Sequence, residues 1–230
     1  MKSDSRHLTW AWLVAALLFF ALGTQSALAA IGTIVGSKHD FSASGTSAFA
    51  NLDGTVQICV YCHTPHNANA GVPLWNHTLS TATYTMYSSP TLKAQMGTAP
   101  GGVSKLCLSC HDGTLAIDSF GGNTTALGIK LNANSPRNLG TNLSNDHPIG
   151  FPYDATLVAA DPGLADPATA TVAIGAGNTG TIAAKMLIAG QVECASCHDV
   201  HNSTSGTAQE AFLLRVSSTG SAICLTCHKK

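Results

Sequence analysis

The eight cysteines of this 230-residue chain fall without remainder into four Cys-x-x-Cys pairs, and a histidine follows each pair at once. The motifs are Cys59-Val60-Tyr61-Cys62-His63, Cys107-Leu108-Ser109-Cys110-His111, Cys194-Ala195-Ser196-Cys197-His198 and Cys224-Leu225-Thr226-Cys227-His228. This spacing is the attachment signature of c-type haem. Two thiols three residues apart can bond the two vinyl groups of one porphyrin, and the following histidine is then held under the iron as proximal ligand. Zinc ribbons, redox dithiols and structural disulfides also use paired cysteines, but none of them calls for histidine after every second cysteine. The expectation is four haem c groups, bound through Cys59, Cys62, Cys107, Cys110, Cys194, Cys197, Cys224 and Cys227, with His63, His111, His198 and His228 as proximal ligands.

An iron that only passes electrons needs a second axial ligand. Outside the motifs stand His7, near the N-terminus, and His39, His66, His77, His147 and His201. His66 follows His63 by three residues and His201 follows His198 by three, so on a helical turn each pair lies on one side. Axial ligands of one iron approach from opposite faces, so His66 and His201 are expected to serve neighbouring haems. His147 stands alone in the long gap between the second and third motifs, where Asp146 either receives its imidazole N–H or is simply solvated. His39 lies close to the start of the exported chain, on an arm able to reach its own subunit or the next. The candidate distal set is therefore His39, His66, His147 and His201. His77, in a packing segment beside Leu74 and Trp75, is the less favoured fifth, the alternative being a simply exposed side chain. Met86, Met96 or Met186 in place of a histidine would raise a haem's potential, but methionine is usually gap-filling core.

The elements that must position these residues are short. Lys2 and Arg6, an apolar run from Leu8 to Leu22 and the Ala27-Leu28-Ala29 site have the layout of a secretory signal peptide over residues 1–29. The run is about 15 residues, short of the ~20 needed to span a bilayer, and no later segment is a candidate span. Residues 30–230 are expected to form a single tetrahaem cytochrome c domain, exported through the periplasm to the cell exterior or outer surface. About 50 residues per haem are too few to wrap each macrocycle separately, so the haems are expected to serve as one another's core. The expected fold class is a multihaem cytochrome c, with short helices, much coil and a small surface β-hairpin whose arms are Thr169 to Ile174 and Thr181 to Leu187. Motifs starting at 59, 107, 194 and 224 exclude a fixed repeat period. Eleven basic against twelve acidic residues give a formal net charge of -1, with no basic footprint for nucleic acid.

With its motifs laid out, the chain resembles exported multihaem cytochromes of the paired Cys-x-x-Cys-His type, and more narrowly the tetrahaem subunits of extracellular cytochrome filaments, the OmcE type. The resemblance is carried by Cys59 to His66, Cys107 to Thr114, His147-Pro148-Ile149, Cys194 to Asn202 and Cys224 to Lys230. It implies bis-histidine haems throughout, an unbroken haem chain and one axial histidine donated across a subunit interface, for which His39 is the first choice. The expected function is electron transfer without substrate chemistry, in a self-associating filament that passes electrons to other redox proteins or extracellular acceptors. The alternatives are a discrete periplasmic or outer-surface shuttle and, less favoured, a reductase with one open haem.

Overall fold

With 22 glycines and only one residue in ten charged, the chain is broken into short pieces by its own composition. The computed structural model describes residues 34–45, 47–52, 54–69, 74–122, 128–175, 178–201 and 211–229, all within the compact unit Gly32–Lys230. Residues 1–29, expected to be a signal peptide, lie outside the described residues.

In chain order the regular elements are α1 (Gly102–His111), β1 (Phe151–Pro152), α2 (Ala155–Ala160), β2 (Thr171–Ala173), β3 (Thr179–Thr181), α3 (Ile182–Lys185), β4 (Gln191–Val192), α4 (Cys194–Cys197) and α5 (Ala222–Cys227), with 3-10 turns at Ala211–Leu213 and Thr219–Ser221. Three of the helices carry a motif: α1 the second, α4 the third and α5 the fourth. The first motif is a bare turn in which the amides of Cys62 and His63 both return to the Cys59 carbonyl, at 3.1 and 2.7 Å. Capping starts several of these short helices. Asp154 accepts from the amides of Thr156 and Leu157 at the head of α2, and Glu193 and Ser196 form a reciprocal capping box on α4.

Two small antiparallel sheets frame the segment between the second and third motifs. β1 pairs with β4, Phe151 opposite Val192, and β2 pairs with β3, Val172 opposite Gly180. Phe151, Tyr153, Leu157, Val172, Ile174, Ile182, Met186, Leu187 and Val192 form one buried apolar cluster. Smaller clusters gather Phe41, Tyr61, Ile117 and Leu131, and Tyr84, Leu108 and Leu143. Among the described residues no helix is long and apolar enough to cross a membrane.

The hairpin exists, but its second arm is not Thr181 to Leu187. The strand is Thr179–Thr181, and the chain then turns at once into α3, because the Thr181 hydroxyl accepts from the Ala184 amide and caps that helix. Nor does the segment lie wholly at the surface, as a small surface hairpin would. Ile182 is fully buried and Met186 is 3% exposed, so the motif-free stretch holds the largest protein-only core. Met186 fills that core, and Met96 packs against its side. Ile182→Ala is expected to destabilise the protein by about 2–5 kcal/mol, read as a lower urea midpoint in far-ultraviolet circular dichroism.

Candidate functional site

All four motifs end in the same way: a tight turn or helix presents the two cysteines, and the chain leaving it is pinned to a distant segment. His63 bridges to Trp75, His198 to Leu214 and His228 to Leu164 as isolated β-pairs. His111 has an equivalent clamp, its carbonyl accepting from the Leu139 amide at 2.8 Å. The clamp is tightened beside the cysteines, where the Cys62, Cys197 and Cys227 carbonyls accept from the amides of Asn76, Arg215 and Ala165 at 2.8 Å each. These clamps are made by the backbone and use no cysteine sulfur or histidine ring nitrogen of the motifs.

The structure brings three motif histidines against three distant ones. The ring centres of His39 and His111 lie 6.0 Å apart, those of His63 and His201 6.0 Å, and those of His147 and His228 6.5 Å. Two imidazoles bound to one metal, each with a metal–nitrogen bond of about 2 Å, have ring centres roughly 6 Å apart. Each pair therefore has the spacing of two rings on opposite sides of one metal ion. The tautomers agree. Nδ1 of His111, His147 and His198 lies 2.8 Å from the carbonyl oxygen of Arg137, Pro148 and Phe212 respectively. A carbonyl only accepts, so Nδ1 carries the proton and Nε2 keeps the lone pair a metal requires. For His147 the acceptor is thus Pro148, not Asp146. His39 is driven down to about 4 by burial, with His111, His198 and His201 adding to the effect, so it is a neutral ring at physiological pH.

His198, His66 and His77 stand apart from these pairs. His198 is exposed, as is His66, which lines a depression of about 360 Å³ with Val60, Asn76 and Phe120. His77 is not surface-exposed: it is 1% exposed, with Nδ1 2.8 Å from the Thr78 carbonyl and Nε2 2.9 Å from that of Ala116. Both of its nitrogens are walled by backbone oxygen. His39, expected to reach a neighbouring subunit, instead packs within its own chain against Phe41 and His111.

The eight thiols are free, and consecutive motifs touch through them. Cys62 and Cys110 pack against one apolar cluster, and Cys62 adds to the rise of Cys110. Cys107 donates to the Val103 carbonyl at 3.4 Å and is close enough to Cys194 for the two to perturb each other's ionisation, while Cys197 lies beside Cys224 and Cys227. Ser104 joins α1 to α4, donating to the Glu193 carboxylate and accepting from the Cys194 amide at 2.9 Å. Burial pushes Cys62 and Cys227 up to about 11 and raises Cys110 and Cys197. The neighbouring Cys107 thiol brings Cys194 down to about 7. A redox dithiol needs an accessible, acidified thiol in its pair, and the pair of the second motif, with Cys107 and Cys110 both raised, does not supply one.

These residues fit covalently bound haem. Each turn presents two thiols three residues apart, three histidine pairs stand at metal-spanning separation, and exposed apolar side chains at the motifs, Val56, Val200, Phe212 and Leu225, offer surface for a macrocycle to cover. The buried Nδ1 of His39 and Nε1 of Trp75 lack a partner, and Trp75 packs edge-on against His63. Residues 187–230 match the family model described as the doubled CXXCH motif. That span holds the third and fourth motifs, so the chain carries a multihaem motif of the c-type cytochrome kind, with covalently bound c-type haem. No curated protein matches the chain.

Asp112, directly after His111, anchors this arrangement. Burial alone would raise its carboxyl, but the hydroxyls of Ser80 and Tyr84 and the amide and hydroxyl of Thr114 outweigh burial and hold it below the ordinary 3.8. The next residue must be glycine: Gly113 has φ +70°, and a Cβ there would meet the Asn138 amide nitrogen at 2.3 Å. A carboxylate depressed on folding contributes stability that is fully present above its unfolded value and is lost as pH falls through its folded one. Acid titration below pH 4 is therefore expected to unfold the protein, and Asp112→Asn to lower stability at pH 7 while flattening that acid slope.

Proposed function

We propose that this chain is an electron-transfer protein holding four haem c groups in the order of its motifs, and that it works as a subunit of an extracellular cytochrome filament after export. The observation that carries the reading is the set of three ring pairs at 6.0 to 6.5 Å, each joining a motif histidine to one distant in sequence. When bound, each haem supplies the one-electron couple of its iron. The chain does the rest. Each pair of cysteines would bond one porphyrin, with His63, His111, His198 and His228 as proximal ligands. His201, His39 and His147 would close the distal sides opposite His63, His111 and His228. Irons filled on both sides have no open position for a substrate, which favours conduction over catalysis. The touching motifs, first to second, second to third and third to fourth, favour a continuous path.

The fourth distal ligand supports assembly. His198 keeps a free Nε2 on an exposed ring, and within its own chain no described ring pairs with it. His66 is likewise exposed, while His77 is enclosed. His66 of a neighbouring subunit is therefore the donor we assign to the iron under His198, in place of His39. A discrete shuttle would leave that iron five-coordinate.

Electron microscopy and electron paramagnetic resonance of the haem-loaded secreted protein test this reading. Filaments with low-spin ferric haem are expected, and His66→Ala should abolish filaments and give a high-spin signal from one haem in four. His77→Ala should give none. Discrete particles whose haems are all low-spin would refute the filament reading.

A further inference from the structure

Five carboxylates are buried among the described residues, Asp40, Asp112, Asp118, Glu193 and Asp199, and no lysine or arginine is buried with them. Their placement along the motifs is uneven. Asp40 and Asp112 immediately follow His39 and His111, the two rings paired across 6.0 Å. Glu193 precedes Cys194, while Asp199 lies between His198 and His201, rings assigned to two different haems, and so favours neither. The first motif is followed by Thr64 and the fourth by the exposed Lys229, while Asp146, beside His147, is only half-buried. Asp118 lies on the loop beyond α1 and adjoins no motif.

We propose that buried carboxylates divide the haems into two classes: those of the second and third motifs have the lower potentials, and those of the first and fourth the higher. The inference rests on the bis-histidine reading above. Reduction of a haem adds one electron, taken from a neighbouring ferrous haem, and removes one positive charge from the iron, with no bond made or broken. A fixed anion nearby favours the ferric form and so lowers the potential, the more strongly the less water screens it.

These anions are held as anions. Asp40 accepts from the Gly36 amide at 2.9 Å and from the Ser42 amide and hydroxyl at 3.2 and 2.6 Å. Asp112 accepts from the Ser80 and Tyr84 hydroxyls at 2.5 and 2.6 Å and from the Thr114 amide and hydroxyl at 2.7 Å. Glu193 takes the Ser104 hydroxyl and caps α4, and Asp199 takes the His201 amide at 3.2 Å. Lys38 and Arg137, the cations nearest in sequence to His39 and to the carbonyl that orients His111, are exposed, and water screens them; the half-buried Arg215, whose Nε donates to the Ala195 carbonyl at 2.7 Å, offsets part of the Glu193 charge and makes the third haem the less depressed of the two. The consequence is an uneven path. Electrons rest on the two ends of each subunit's haem chain, where it meets a donor, an acceptor or the next copy, and cross its middle uphill.

The test is a redox titration of the assembled, haem-loaded full chain, followed by optical and electron paramagnetic resonance spectra. Two lower and two higher midpoints are expected in the parent protein. Asp40→Asn and Asp112→Asn should each raise the same one of the two lower midpoints, and Glu193→Gln should raise the other. Circular dichroism and haem content identify a variant that has not folded, and the three substitutions, on separate segments, give independent readings. Four equal midpoints, or folded variants that move a higher midpoint or none, would overturn the proposal. High-spin haem in the assembled parent protein would instead show that the bis-histidine reading had failed.

Discussion

Two imidazoles that meet one iron nitrogen-first from opposite sides would have ring centres roughly 6 Å apart, and this distance recurs in the chain. It ties residue 39 to 111, 63 to 201 and 147 to 228, contacts that a sparse hydrophobic core would not specify alone. Short helices suffice because each has only to present two thiols, and the loop leaving it has only to hold a histidine at the right angle. The backbone clamps at Trp75, Leu139, Leu164 and Leu214 do the second task.

Where no motif demands space, the protein packs as an ordinary domain. Residues 151–192 close on Ile182, Val172 and Phe151 with capped helices and paired strands. This core stitches the third and fourth motifs together from outside. β4 leads directly into α4, and the Tyr153 hydroxyl donates to the carbonyls of Ala165 and Cys227 at 2.5 and 3.3 Å. The segment thus carries His147 to His228.

The motifs were legible in the sequence because covalent chemistry fixes their spacing within five residues. The pairing of distant histidines was legible only as a set of candidates. Helical periodicity says that His201 cannot serve the haem beside it, but not that it faces His63. His39 misled because a histidine near a chain end looks mobile, whereas Phe41 and the Asp40 turn bury it. Asp40 also explains Gly45, where any Cβ would sit 2.1 Å from the Asp40 carbonyl oxygen. The hairpin arm was misplaced because Thr181 to Leu187 is β-branched and apolar at both ends. One threonine hydroxyl at its first position turns it into a helix. The buried carboxylates were not legible, since an aspartate after a motif histidine reads as solvated until its hydroxyl partners from thirty residues away are known.

Each of these three histidine pairs is expected to clasp one iron, with the porphyrin bonded to the cysteines of that pair's motif. A density map of the haem-loaded protein, at a resolution that places iron atoms, tests it most directly. The account requires one iron between His39 and His111, one between His63 and His201 and one between His147 and His228. An iron ligated instead by His77 or Met186, or any of the three pairs separated with no metal between its rings, would contradict it.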